Sequence, residues 1–415
     1  MTPNKTTAIS LAIASALVLG TTPVHANTFY GTGAGTGNTG SDNTAFGDYS
    51  LSNSSSGSNN TASGSSSLFD NTTGSNNTAN GYSALSYNAT GSQNTASGSG
   101  SLYFNSSGNF NTAAGYGSLY YNTTGYNNTA GGAYSLYQNT TGRENTASGY
   151  HSLFSNTTGI KNTANGEFSL NANTAGVLNT ASGYQSLTSN TTGHYNAASG
   201  AASLAFNTTG SFNTAIGYAA GYKNAIGAYN VFLGRQAGYN ELGSNKLYIS
   251  NNATTPLLYG VFSPTASANK LGVGTIAVPA GDAIRVWNGA HLTTGGVWTN
   301  ASSRDLKDHI QSLSAEDADK ALNALSPVRY VYKNSPDEEY VGFIAEDVPG
   351  LVAMNDHKSL SPMDIVAVLT TVTKEQKIKM TEKDGEIAAL RDSLAQQEQR
   401  MQRMEMALAQ LQTHP

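Results

Sequence analysis

"NTASGSSSLFDNTTGSN" (residues 60–76) follows directly on "NTAFGDYSLSNSSSGSN" (residues 43–59), and that pairing decides how the first half of the chain is read. The Asn-Thr-Ala triplet returns at 77, 94, 111, 128, 145, 162, 179 and 213, with Asn-Ala-Ala at 196, so every interval is 17 residues. The unit is N-T-A-x-G-x-x-S-L-x-x-N-T-T-G-x-x, in eleven copies from residue 43. Self-similarity at a fixed short period marks a solenoid. One unit cannot bury a core by itself, and stacked units can.

Each unit has glycines at its fifth and fifteenth positions, Gly81 and Gly91 for example, where turns with positive φ are served. Between them lie N-T-A and S-L-x-x, each long enough for a brief strand. Stacking would align Leu51, Leu68, Leu85 and their equivalents to Leu204 in one apolar column and the triplet alanines in another. The asparagines would form hydrogen-bonded ladders. At about 4.8 Å per coil, the stack would be a rod on the order of 50 Å long. One Leu and one Ala per coil is a thin core, which predicts that rods associate, most simply three around an axis.

Outward from the repeat, the N-terminus reads as a secretory signal over 1–26. Lys5 is basic, "AISLAIASALVLG" (8–20) is apolar, and "VHA" (24–26) is a cleavage site that would leave Asn27 first. No other stretch would span a membrane as a helix, so no integral membrane segment is expected after signal cleavage. The net charge of −5 over 415 residues gives no electrostatic case for nucleic acid. There is no cysteine, which excludes disulfides and a lipidated cysteine. No metal-ligand cluster and no phosphate loop occur, so no cofactor is expected.

Past residue 240 the register breaks, and 241–301 alternates short apolar runs with turn residues, a β-rich connector. It holds the chain's two tryptophans, Trp287 and Trp298, which are expected to pack the joint. From Ser302 charges become frequent. "SAEDADKALNAL" (314–325) opens as a capping box and continues as a helix. "SPVRYVYK" (326–333) and "EYVGFIAEDVPGL" (339–351) read as strands, the second ending in a turn or short helix. The last helix carries a heptad seam. Val366, Leu369, Thr373, Gln376, Met380, Lys383 and Ile387 begin it, and the same alternation of three and four reaches Leu411. That spacing predicts a coiled coil over 370–415.

The repeats, and "NTAIGYAAGYKNAIGAYNVFLGRQAG" (213–238) most clearly, resemble the head repeats of trimeric autotransporter adhesins and repeats of phage tail fibres. The fold this implies is a trimeric parallel β-roll. The C-terminal blocks "SSRDLKDHI" (302–310), "LNALSPVRYVYK" (322–333) and "YVGFIAEDV" (340–348), with the terminal helix, resemble the endosialidase-type intramolecular chaperone. That is the auto-processing domain at the ends of tail spikes and fibres. The resemblance implies a Ser–Lys dyad at Ser302 and Lys307 and a cut between Ala301 and Ser302. Many members have Asp after the serine, where this chain has Ser303.

The chemistry has its own logic. A serine hydroxyl is a weak nucleophile until a base takes its proton. A lysine is that base only when neutral, and a free lysine titrates near 10.4. Burial favours the neutral form, so cleavage would wait for an assembly that desolvates Lys307. Residues five apart do not share a helix face, so Ser302 is expected on a loop before the helix that carries Lys307. His309 is a candidate accessory group. The plainer reading of Ser302 is a helix N-cap answered by Asp305 three residues on.

The expected architecture is therefore mainly β. A trimeric parallel β-roll solenoid (27–240) and the connector (241–301) precede a small α+β chaperone and autopeptidase domain (302–369). A long coiled-coil helix (370–415) ends the chain. The expected function is that of a bacterial exported fibre, extracellular or on the cell surface. Its C-terminal domain would drive trimerisation and cut itself off as a single-turnover serine endopeptidase. The alternative is an adhesin with a permanently attached trimerisation domain. Expected partners are the chain itself and a surface receptor or glycan.

Overall fold

The computed structural model describes residues 26–353 and 357–412. The secretory signal expected at 1–26 lies, but for Ala26, outside the described residues. The chain divides into two compact units, Met1–Ala301 and Ser302–Pro415.

The first unit is a β-solenoid. Each 17-residue coil contributes one short strand at Thr-Ala-x, and consecutive strands pair in parallel, Thr61 with Thr78, Thr78 with Thr95, Thr95 with Thr112. In each strand the alanine is buried and faces the coil interior. S-L-x-x forms no strand, contrary to the reading of two strands per unit. The leucines from Leu51 to Leu204 have left-handed φ of 48 to 52°, and the residue two before each leucine is left-handed too. Left-handed backbone costs an L-residue about 1–2 kcal/mol, while full burial of a leucine returns about 1.5–3 kcal/mol. The turn holds because it drives the leucine inward and because its N–H stays paired, Leu119 donating to the Ser135 carbonyl at 3.0 Å in the next coil.

The remainder of the core is polar. Asn111 donates from its backbone N–H and from Nδ2 to Asn94 Oδ1, at 3.0 and 3.2 Å, and again from Nδ2 to the Gly125 carbonyl at 2.9 Å. Its own Oδ1 accepts the same pair of bonds from Asn128. A second ladder runs beside it. Asn122 Nδ2 donates to Asn105 Oδ1 at 2.7 Å and to the Gly125 carbonyl at 2.9 Å, and its Oδ1 accepts from Asn139 at 2.7 Å. These side chains are fully buried with every polar atom engaged, as low-dielectric surroundings require. The glycine columns exist because coils pack backbone to backbone. A Cβ on Gly81 would lie 2.7 Å from the Gly98 carbonyl, and one on Gly91 would lie 2.5 Å from the Gly108 oxygen. The leucine and alanine columns have no exposed surface within one chain. A thin core therefore does not by itself force rods together, since the asparagines complete it.

The ladder extends one coil beyond the eleven repeats at each end. Asn27 accepts from the Asn43 N–H at 2.8 Å, and Asn230 accepts from the Lys246 N–H at 2.9 Å. In both end coils the strand partners are 16 residues apart, Thr28 with Thr44 and Val231 with Leu247. Both also exchange residue sizes. Phenylalanine (Phe29, Phe232) takes the alanine position, and glycine (Gly35, Gly238) takes the leucine position. A Cβ on either glycine would overlap the phenylalanine ring of its coil.

The connector continues from the strand Lys246–Ile249 through Leu258–Val261, Lys270–Val273, Asp282–Val286, His291–Thr293 and Trp298–Thr299, paired mostly antiparallel. Trp287 and Trp298 are 74% and 61% exposed, so neither packs the joint as expected. The buried places there are taken by smaller groups, Asp282 and Tyr259 among them.

Outside the coil walls the mid-rod positions carry aromatics. Tyr103, Tyr120, Tyr137 and Phe154 stack in line, with centroids 4.8, 5.2 and 5.1 Å apart. Burial, then a hydrogen bond with Tyr87, pushes the Tyr103 phenol up to about 12. Burial, then Tyr121, does the same for Tyr137.

In the second unit, α1 (Ala315–Asn323) is capped by Ser314, whose hydroxyl accepts from the Asp317 N–H at 3.0 Å. The strands Val328–Tyr332 and Ser335–Gly342 form an antiparallel hairpin. The long helix α2 (Pro362–Gln412) begins with proline at its first position, where a missing N–H costs nothing. Its opening turns pack Val368 and Val372 against Ala318, Ala321, Val348 and Val352. Its heptad seam stays open, with Ile387, Leu390, Leu394, Met401, Met404 and Leu408 all exposed. No helix among the described residues is long and apolar enough to cross a membrane.

Two outcomes are expected. Replacing Asn122 by alanine orphans Asn105 Oδ1, and an unsatisfied buried acceptor costs about 1–3 kcal/mol. Native-state hydrogen exchange should then show protection of the neighbouring coils falling roughly 10- to 100-fold. The exposed Thr124→Ala should leave it unchanged. In alkali, the folded state holds the Tyr103 and Tyr137 protons more tightly than the unfolded chain, where tyrosine ionises near 10. The stability they contribute is complete below about pH 10 and is lost as pH rises through about 12. A phenolate absorbance titration should show this late step, diminished in Tyr103→Phe.

Candidate functional site

Ser302 and Lys307 flank a single 3-10 turn, Arg304–Leu306. Ser303 caps that turn, its hydroxyl accepting from the Asp305 N–H at 3.3 Å. The capping pattern is real, but it belongs to the second serine, so the plainer reading of Ser302 as the cap fails. Ser302 lies one residue upstream in irregular chain with its hydroxyl free for another partner. That partner is Lys307, whose Nζ donates to Ser302 Oγ at 2.8 Å. Lys307 is the C-cap residue, with extended backbone (φ −126°, ψ 142°), and is not carried on a helix as expected. A single tight turn brings together residues that one α-helix would hold on different faces.

A hydrogen-bonded Ser–Lys pair can relay a proton only if the lysine sheds its own. Both side chains are exposed in the single chain. The arrangement thus has the connectivity of a nucleophile and base without the desolvated surroundings that would activate them.

His309 is placed apart from this pair. Its backbone N–H donates to Asp308 Oδ1 at 2.8 Å, and its ring Nδ1 lies 3.5 Å from Asp308 Oδ2. Ring and carboxylate are both about 90% exposed, which makes this a surface ion pair of little energetic weight. Its φ of 50° places its backbone in the left-handed region. The one participant that sequence reasoning missed is Ser303. Spacing gave no signal for it, since Asp305 lies within capping reach of either serine and only the turn's start at Arg304 selects Ser303.

Residues 302–354 match the family model described as chaperone of endosialidase. The match begins at Ser302 and covers the Ser302–Lys307 turn, α1, the hairpin and the short turn after it. No curated protein and no solved structure matches the chain. The chain thus joins an N-terminal β-solenoid of 17-residue repeats to a C-terminal segment of the endosialidase-chaperone kind.

Proposed function

We propose that this chain is an exported fibre protein whose C-terminal unit assembles three copies and then severs itself between Ala301 and Ser302. The observation that carries this reading is the 2.8 Å bond from Lys307 Nζ to Ser302 Oγ at the first residues of the chaperone match. In the reaction, neutral Lys307 takes the hydroxyl proton as Ser302 Oγ bonds to the Ala301 carbonyl carbon. The Ala301–Ser302 C–N bond breaks, and the proton passes to the leaving amine. The resulting ester joins Ala301 to the Ser302 side chain. Water hydrolyses it, leaving a carboxylate on Ala301 and a free amino group on Ser302.

Timing follows from solvation. In one chain Ser302 and Lys307 both face water. Three copies associated along the open seam of α2 would bring neighbouring protein against the dyad and withdraw it from water. Cleavage then reports completed assembly. Released from its coiled coil, the rod loses the element that could rebuild it, and its persistence becomes kinetic. The lesser reading, a permanently attached trimerisation domain, differs only in whether this bond breaks.

Intact mass of expressed 27–415 distinguishes them. Wild type and Ser303→Ala should both yield a fragment from Ser302 to Pro415, because the cap adds only about 1 kcal/mol. Ser302→Ala and Lys307→Ala should remain single chains. An uncut wild type shown to be trimeric would leave the permanently attached reading standing.

A further inference from the structure

The repeat allows large variation at its seventh position, which is left-handed in every coil. Tyr134, His151 and Phe168 occupy it in three consecutive coils, with φ of 57, 53 and 55°. In the two coils before these it is glycine, Gly100 and Gly117, with φ of 64 and 60°. Nothing in the backbone demands glycine there, since Ser66, Ser83 and Gln185 hold the same conformation elsewhere. The two glycines remove side chains from the middle of the aromatic surface, and a cavity of about 290 Å³ opens where they lie.

Tyr103, Tyr120 and Tyr137 form one wall, stacked along the rod. Tyr82, Tyr116 and Tyr134 stand on the other side, with Tyr134 meeting Tyr116 and Tyr137 edge to face at 5.1 and 5.4 Å. Ring contacts join Tyr103, Tyr120, Tyr137, Tyr134 and Tyr116 into one set, which holds most of the lining in place. Serine hydroxyls, Ser83 and Ser99, join the phenols at its lining. No charged side chain lines it.

We infer that this cup binds a neutral sugar ring of a surface glycan. The lining chooses the class. An anion or cation would find no counter-charge and would lose its hydration uncompensated. A purely apolar ligand would cover the Ser83 and Ser99 hydroxyls without pairing them. A hydroxylated ring satisfies both halves of the lining, laying C–H surface on aromatic carbon while its hydroxyls exchange hydrogen bonds with phenols and serines. The phenols stay neutral donors across the physiological range, as the upward displacement of Tyr103 and Tyr137 requires. The proposal deepens the fibre reading by naming where the rod meets its partner. Its outcome is separable from that reading, because intact mass and oligomeric state are measured independently of glycan retention.

The test is binding of purified 27–415 to immobilised oligosaccharides, with neutral hexose and N-acetylhexosamine chains as probes and sialylated chains as the anionic comparator. Gly100→Gln fills the cup with a residue the position already accepts in other coils. Tyr120→Phe removes one hydroxyl and keeps the ring. Wild type should retain neutral chains over sialylated ones. Gly100→Gln should weaken retention at least tenfold, and Tyr120→Phe several-fold, with unchanged circular dichroism and unchanged oligomeric state. The inference is overturned if no neutral chain is retained, if sialylated chains are preferred, or if folded Gly100→Gln binds as wild type does. The fibre reading survives each of those results as long as the mass and oligomer measurements stand.

Discussion

A 17-residue coil has too little apolar side chain to fill its own interior, so the space is filled with amides that must find partners in the coils before and after. This requirement sets the register. Asn111 bonds to Asn94 and serves Asn128, and a slip of one residue would strand three polar atoms in a dry interior. The same requirement explains the glycine columns, because amide ladders form only if backbones approach closely enough to exclude a Cβ. It also explains why the outer positions vary freely. With the fold secured by asparagine, leucine, alanine and glycine inside, the outer positions accept tyrosine, serine or glycine from coil to coil.

The second unit rests on a different division of labour. Two adjacent serines compete for one helical turn, and Ser303 takes the cap. That leaves the Ser302 hydroxyl to accept from Lys307 Nζ. The long helix also splits its faces. Val368 and Val372 dock on α1, while the adjacent seam from Ile387 onward stays open along an otherwise solvated rod of helix. The case for self-association therefore comes from this seam, not from any deficiency of the solenoid core.

Much of this was legible in the sequence. The period, the leucine and alanine columns and the asparagine ladders all followed from eleven copies of one unit. The C-terminal elements followed from caps, alternation and heptads. Other features were hidden for physical reasons. S-L-x-x looks like a strand because leucine rarely turns left-handed, and only full burial makes that conformation affordable. The end coils fell inside the expected solenoid of 27–240 but outside the count of repeats, because Phe29 and Phe232 replace the alanine by which coils are counted. Ser302 and Ser303 cannot be told apart as caps from spacing alone, since Asp305 answers either. The exposed tryptophans ran against residue preference, and nothing in the local pattern of the connector signals them.

The paired exchange of phenylalanine and glycine at the two ends bears on the size of the whole object. A stack of identical coils is an open-ended lattice, and any coil could template another. Here the first and last layers hold a bulky ring where the interior repeats hold a methyl, and each is one residue short. Each ring layer pairs in register with the common repeat inside it, Phe29 with Ala45 and Phe232 with Ala215. On the far side of Phe232 the connector strand Lys246–Ile249 takes the next place in the ladder, so the stack passes there into a sheet of shifted phase and presents no repeat-shaped edge.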